Sequence, residues 1–335
     1  MSEKINIGII GFGRIGRVHY KNIIAMDNVN IKVVCDILAD ESWEKEFPEI
    51  NFCTNYLDVL KDPEIKAVLI CTPTNLHPEM IIQAAKAKKD IFCEKPVGFN
   101  NDDILKAYQT VKDNNVKFAT GFNRRYDKHF RRITDYLENN SIGIPHILKI
   151  TSRDPEPPSL DYVSKSGGIF MDMTIHDFDM ARYITKQEID EVYVIGNVLI
   201  DDRIKQYNDL DTAIITLKFH NGMMGVIDNS RQAVYGYDQR IELFGSKGMA
   251  HADNVLESET KFLGNNCMKE DKPMFFFLQR YMEAYDTELK SFFESVQGKH
   301  DVECSFEDGI KAIRLAEAAE RSYQSGKPEK VQPIN

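Results

Sequence analysis

The sequence predicts an α/β protein, with a doubly wound parallel sheet in its first part and an α+β domain after it. Three observations lead there. Over the first 120 residues short apolar runs alternate with helix-patterned stretches; those runs are continuous rather than alternating; and past residue 125 hairpin signals take over. Strand–helix–strand alternation reads as a parallel sheet with helices on both faces. Continuous Val/Ile/Leu-rich strands are what burial of both sheet faces requires. A chain of 335 residues is also too long for one comfortable core. The boundary falls near 121–126, which gives domains 1–122 and 123–335.

Taken in order, strands are expected at Ile5–Ile10, Ile31–Asp36, Ala67–Thr72, Asp90–Cys93 and Lys117–Thr120. Helices are expected at Arg14–Met26, Pro78–Lys88 and Asn101–Asn114, the last two with apolar residues at helical spacing. Beyond the boundary, Asp211–Phe219 and Met223–Ser230 flank His220-Asn221-Gly222, and Asn-Gly is the strongest short hairpin signal. Arg240–Gly245 and Met249–Ala252 flank Ser246-Lys247-Gly248, a second hairpin, and Pro145–Arg153 and Glu191–Asp201 are further strands. Helices are expected over Met171–Tyr183, Phe276–Gln297 and Ser305–Ser325, the last in a position to pack back on the first domain.

Composition narrows the function classes. A net charge of −10 argues against nucleic acid as the main partner, because phosphate binding needs a basic surface. The one basic stretch, Arg124 to Arg132, reads as a solvated helix start or as the source of an arginine facing a substrate. Apolar runs such as Ala67–Cys71 are far too short to span a bilayer, and no signal-peptide pattern precedes the first strand. The six cysteines form no Cys-x-x-Cys pair and no zinc spacing, so a reducing, cytoplasmic location and no metal are expected.

Gly11-Phe12-Gly13-Arg14-Ile15-Gly16 is a Gly-x-Gly-x-x-Gly that follows a strand and opens a helix. Gly11 permits the tight turn, Gly13 lets the backbone approach a pyrophosphate, and Gly16 allows close helix–strand packing. The free N–H groups and positive end of the helix then face the phosphates. Asp36 ends the next strand 20 residues after Gly16, where an acid accepts bonds from the adenosine ribose hydroxyls. A carboxylate there repels a 2′-phosphate and no arginine follows, so NAD is expected over NADP. As alternatives, Asp36 reads as a turn or helix-capping aspartate.

Two segments, Cys71 to Pro78 and Cys93-Glu94-Lys95-Pro96, follow strands of the sheet and so border the crevice beyond its carboxyl ends. Lys95 in that place can hydrogen-bond a hydroxyl oxygen and stabilise alkoxide character as hydride leaves, although a lysine in isolation is more often a surface residue. His77, just before Pro78, either ends a loop or takes part in the site. Later in the chain Asp172 and His176 lie four apart on one helical face. Imidazole is the side chain poised to accept a hydroxyl proton near neutral pH, and a carboxylate one turn away can orient it or bind substrate. The bland alternative is a capping aspartate and an unconnected histidine.

Together these residues resemble the glucose-fructose oxidoreductase / inositol dehydrogenase / rhizopine catabolism (Gfo/Idh/MocA) family over essentially the whole chain. Gly11–Gly16, Glu94-Lys95-Pro96 and Gly168 through Asp177 stand in family order and spacing, and Thr151–Pro158 and Tyr235–Arg240 are similar to inositol 2-dehydrogenases. The resemblance implies a Rossmann domain joined to an α+β domain with an open, largely antiparallel sheet, homodimers or homotetramers, and substrate between the domains. It implies that Lys95, Asp172 and His176 form the catalytic set, with His176 as base, and that the Lys95–Pro96 bond is cis. Thr72, Asn75, His77 and Glu94 are then expected with Gly11 to Gly16, Asp36 and Lys95 around NAD, and Arg125 and Tyr235 at the substrate.

The expected reaction is NAD-dependent oxidation of myo-inositol to 2-keto-myo-inositol (scyllo-inosose). Other readings stay open: a dehydrogenase of glucose, scyllo-inositol or a levoglucosan-like anhydrosugar, a non-catalytic nucleotide-sensing regulator, or a glycosidase with NAD permanently bound.

Overall fold

A computed structural model describes residues 4–334. Six strands form one sheet in the order β3-β2-β1-β4-β5-β6: β1 (Ile5–Ile10), β2 (Val29–Cys35), β3 (Phe52–Cys53), β4 (Ala67–Ile70), β5 (Asp90–Glu94) and β6 (Phe118–Gly121). Every neighbouring pair in it is parallel. The order reverses beside β1, as in a Rossmann sheet, so the carboxyl ends of β1 and β4 open the crevice where ligands bind. The connections are α1 (Arg14–Ile23), α2 (Glu41–Glu46), α3 (Tyr56–Lys61), α4 (His77–Lys86) and α5 (Asn101–Asn114).

Burial explains the continuous runs. Ile7, Ile9, Val68, Leu69, Ile91 and Phe92 are wholly buried. Local chemistry stops the helices where it should. Asn100 caps α5 by accepting from the Asp103 N–H, and Asn115 ends it in the left-handed conformation. The two-residue β3 escaped the sequence pattern because it is too short to carry a period.

The second sheet runs β12-β11-β7-β10-β9-β8-β15. Its strands are β7 (Pro145–Arg153), β8 (Ile189–Asn197), β9 (Thr212–Phe219), β10 (Met224–Ser230), β11 (Asp238–Gly245), β12 (Met249–Ala252) and the short β15 (Glu329–Lys330). Both expected hairpins form, and only β7 with β10 is parallel. Along β9 Ala213, Ile215, Leu217 and Phe219 are buried while Ile214 and Lys218 are exposed, the alternation of a sheet covered on one face. The strands β13 (Lys261–Leu263) and β14 (Met268–Glu270) pair apart from it.

Helices α6 (Lys128–Glu138), α7 (Leu160–Ser166), α8 (Ile175–Thr185), α9 (Phe277–Arg280), α10 (Met282–Val296) and α11 (Phe306–Ser325) complete the chain. The single helix expected over Phe276–Gln297 is two, interrupted at Tyr281, whose φ of −116° leaves the helical region. The helix expected from Met171 begins instead as a π-turn at Phe170–Thr174 and becomes α8 at Ile175.

Compactness does not divide the chain at one point. Residues up to Asn123 and Glu283–Ile310 make one unit; Arg124–Met282 and the residues from Lys311 make the other. The returning segment is α10 with the first turn of α11: Leu289, Phe292 and Phe293 belong to the apolar core under β1 and β4, and the Phe306 ring stacks on Phe118 at 4.2 Å. Among the described residues no helix is long and apolar enough to cross a membrane.

One buried carboxylate organises the loop after β8. Asp211 is inaccessible to solvent and accepts the N–H groups of Leu199, Ile200 and Asp201 at 2.9, 2.9 and 3.1 Å. Asp211→Ala strands those donors, so urea unfolding should show a loss of about 3 kcal/mol. A loss below about 1 kcal/mol would mean that the loop finds other acceptors.

Candidate active site

The first site lies at the carboxyl ends of β1 and β2. Gly11 has φ +96°, and a Cβ on it would sit 2.7 Å from the Cys71 carbonyl carbon, so the turn is open to glycine alone. A Cβ on Gly16 would lie 2.2 Å from the Gly11 oxygen, which is how closely α1 approaches the turn. Gly13 differs: a Cβ there would meet nothing within 4 Å, and no side chain caps the first turn of α1 that it precedes. Its exposed backbone, with Arg14 also exposed and Ile15 half-buried, leaves room for an anion at the free N–H groups. Phe12 points inward, edge-on to Tyr20, Phe47 and Phe52 and under the Arg17 guanidinium.

Asp36 completes this cradle. Its Oδ2 accepts from the Phe12 N–H at 2.7 Å and its Oδ1 from the Leu38 N–H at 2.9 Å. The carboxylate is thereby fixed beside the glycine turn, and each oxygen keeps a further lone pair for a hydroxyl donor. These residues fit a dinucleotide: N–H groups for pyrophosphate and an oriented acid for ribose.

The second feature of this unit is the turn after β5. Glu94 is buried and its Oε1 lies 2.6 Å from Nε2 of His19, a fully buried residue of α1. Lys95 is half-buried, and its bond to Pro96 is cis. His77 is buried with Nδ1 2.8 Å from the Pro96 oxygen and Nε2 2.8 Å from the Thr72 oxygen. The ring is thus wedged between the two loops, and its single N–H in the neutral form donates to one carbonyl at a time. Burial pulls its pKa down, while the two carbonyls and Glu94 act in the opposite sense. Thr72 is half-buried, its hydroxyl directed to the Met80 sulfur at 3.4 Å, and Asn75 is exposed on a short 3₁₀ turn.

In the other unit Gly167 and Gly168, both at positive φ, carry the chain from α7 into the π-turn that bears Asp172. Such turns are rare and concentrate at functional sites. Asp172 accepts from the Tyr162 hydroxyl at 2.8 Å and from Nη1 of Arg231 at 3.0 Å. Arg231 is almost wholly buried, and Asp154 lies 3.9 Å from the same nitrogen. The Asp154 carboxyl is pushed up to about 6, first by desolvation and then by Asp172, against the pull of Arg231 and Arg124. His176 occupies the first turn of α8.

Buried ion pairs brace this half. Arg124 bonds Asp177 at 2.6 Å, Asn229 holds the other Asp177 oxygen at 2.8 Å, and Thr174 bonds Asn229 at 2.6 Å. Arg125, expected at the substrate, forms a buried two-pronged pair with Asp179 at 2.8 and 2.6 Å. The pair engages Nε and Nη2 of the guanidinium. Tyr235 is exposed, donating to Asp238 at 2.6 Å and accepting from Arg153 at 3.1 Å.

Sequence reasoning missed His19, Tyr162 and Arg231, and named Asp154 only within a motif. His19 was detectable as the polar residue on the buried face of α1, and Arg231 as a charge directly after β10. Tyr162 gave no signal.

The fold and the glycine cradle define an oxidoreductase of the NAD-binding Rossmann class, and residues 5–122 match the family model for that domain. Residues 130–251 match the Gfo/Idh/MocA C-terminal domain, and the chain belongs to this family. It is 49% identical over 330 residues to an uncharacterized oxidoreductase of Bacillus subtilis, covering 98% of this chain and 97% of that one. It is 44% identical over 333 residues to myo-inositol 2-dehydrogenase of Thermotoga maritima, covering 98% and 99%. The solved scyllo-inositol dehydrogenase of Lactobacillus casei with bound NAD(H) and scyllo-inositol superimposes with a TM-score of 0.91 at 28% identity, covering 98% and 99%.

The raised Asp154 pKa has a measurable sign. A carboxyl that titrates near 6 when folded and near 3.8 when unfolded costs stability as pH rises between those values. The stability of Asp154→Asn relative to wild type should therefore improve from about pH 4 to about pH 6 and level off above. Thermal unfolding across that range checks it; a difference independent of pH would place Asp154 in a water-like environment.

Proposed function

We propose that this protein oxidises a secondary ring hydroxyl of a cyclic polyol with NAD as hydride acceptor, converting myo-inositol to 2-keto-myo-inositol (scyllo-inosose). The observation that carries the reading is the carboxylate pair Asp154 and Asp172 about the buried Arg231, beside a helix whose first turn bears His176. Their negative charge offsets the Arg231 guanidinium, which disfavours a phosphorylated or carboxylated substrate. Carboxylates accept hydrogen bonds from neutral hydroxyls, so a polyol is the ligand that such a rim suits.

In this reading His176 takes the hydroxyl proton, Asp172 binds a neighbouring hydroxyl or orients the imidazole, and Lys95 donates to the reacting oxygen. NAD, when bound, supplies the hydride acceptor at nicotinamide C4. Gly11, Phe12, Gly13, Arg14, Ile15 and Gly16 would receive its pyrophosphate and Asp36 its adenosine ribose. Thr72, Asn75, Glu94 and Lys95 would border the nicotinamide ribose, with His77 behind them and Tyr235 toward the substrate. The Asp36 carboxylate repels a 2′-phosphate, which favours NAD over NADP. Support for the polyol comes from the relatives named for myo-inositol and scyllo-inositol, and the second favours scyllo-inositol as the alternative substrate. A cytoplasmic homodimer or homotetramer is part of the same proposal.

NADH production with a panel of inositols, hexoses and anhydrosugars tests the reading: strong activity confined to inositols supports it, and silence in both directions with NAD and NADP rejects it. His176→Ala should lower turnover by about 10²- to 10⁴-fold with NAD affinity nearly unchanged. Collapse of NAD binding would instead move His176 to the cofactor. Asp36→Ser should narrow the preference for NAD over NADP, and an unchanged preference would remove Asp36 from the ribose site.

A further inference from the structure

Two buried histidines hold the Glu94-Lys95-Pro96 turn by its ends. At one end the buried His77 ring lies between the Pro96 and Thr72 carbonyls, 2.8 Å from each, with its N–H available to one of them. At the other, His19 has no solvent access and sits 2.6 Å from the Glu94 carboxylate, 75 residues away in sequence. Its ring is locked edge-on between Phe92 and Tyr285, with centroids at 5.2 and 5.7 Å. Glu94 has little freedom of its own: a Cβ on Gly121, its neighbour on β6, would come within 3.1 Å of Glu94 Oε2. A glycine there leaves just enough space for the carboxylate. His19 also belongs to α1, whose first turn is the glycine cradle.

We propose that His19 is a positioning residue for Lys95. By donating from Nε2 to Glu94 it fastens the lysine-bearing turn to the helix that presents the cofactor cradle. A buried carboxylate deprived of its donor must find another partner or take up a proton. Either response shifts a turn in which Lys95 is the next residue. Reacting groups displaced by about 1 Å lose up to about a hundredfold in rate. The assignment rests on the dehydrogenase reading above, since it is the reaction that requires an aimed lysine.

The test compares wild type with His19→Leu and His19→Gln in three measurements: steady-state turnover on the best polyol, NADH binding by fluorescence, and thermal unfolding. Leucine keeps volume but no donor, whereas the glutamine amide can place a donor where Nε2 stands. The expected result is a loss in kcat of about tenfold to a hundredfold for leucine, with NADH affinity within about threefold of wild type, and recovery of most of the kcat with glutamine. Equal loss in both variants, or loss that follows NADH affinity or melting temperature alone, would overturn the assignment and leave His19 a packing residue. An active wild type with unimpaired His19→Leu overturns the assignment while the dehydrogenase stands. A wild type silent on every polyol overturns both.

Discussion

The close approach of α1 to the ends of β1 and β4 is the constraint from which the cofactor half follows. Gly11 must adopt a positive φ against the Cys71 main chain, and Gly16 must present no Cβ to the Gly11 carbonyl. With α1 drawn in that far, its uncapped first turn faces open space at Gly13. The Phe12 N–H then reaches Asp36, and three residues beyond Gly16 His19 reaches Glu94. One steric requirement thus aligns the open first turn of α1, the Asp36 carboxylate and the His19–Glu94 contact. A larger residue at Gly16 would disturb all three.

The other half is built on polar rather than steric constraint. Arg124 with Asp177, Arg125 with Asp179 and Arg280 with Asp127 are buried pairs. Ion pairs of this kind add little net stability, because desolvation offsets their attraction, but removing one partner is costly. Their consequence here is geometric. Asp177 and Asn229 hold the start of α8 against the sheet, and Thr174, at the end of the π-turn, bonds the same asparagine. The segment from Asp172 to His176 is therefore anchored at its far end by side chains that never face a ligand in the proposed reaction. Arg231 and Tyr162 hold the near end.

What was legible in the sequence was what is local. The glycine turn and both hairpins each depend on residues within one short segment, so spacing and turn chemistry sufficed. Continuous apolar runs located the long strands to within a few residues. The two-residue strands β3 and β15 carry no period and were not visible. The π-turn was hidden because its sequence also suits an ordinary helix; two left-handed glycines and the Asp209 carboxylate, which accepts the Ile169 N–H at 2.8 Å, set its entry. The supports of the site were least legible. Arg231 meets Asp172 across 59 residues and His19 meets Glu94 across 75, pairings that only the folded topology specifies. The Arg125–Asp179 pair was likewise out of reach, because a charged run shows which residues are basic but not which carboxylate each will find.

In the proposed reaction a hydride passes from a ring carbon of a polyol to the nicotinamide. The most direct measurement is incubation of the protein with NAD and myo-inositol deuterated at the carbon that bears the reacting hydroxyl, followed by mass spectrometry and NMR of the reduced cofactor. Direct transfer places the deuterium at nicotinamide C4 and slows turnover relative to the unlabelled polyol whenever that step limits the rate. Reduced cofactor that carries hydrogen from solvent, or deuterated polyol recovered with no reduced cofactor formed, would contradict it.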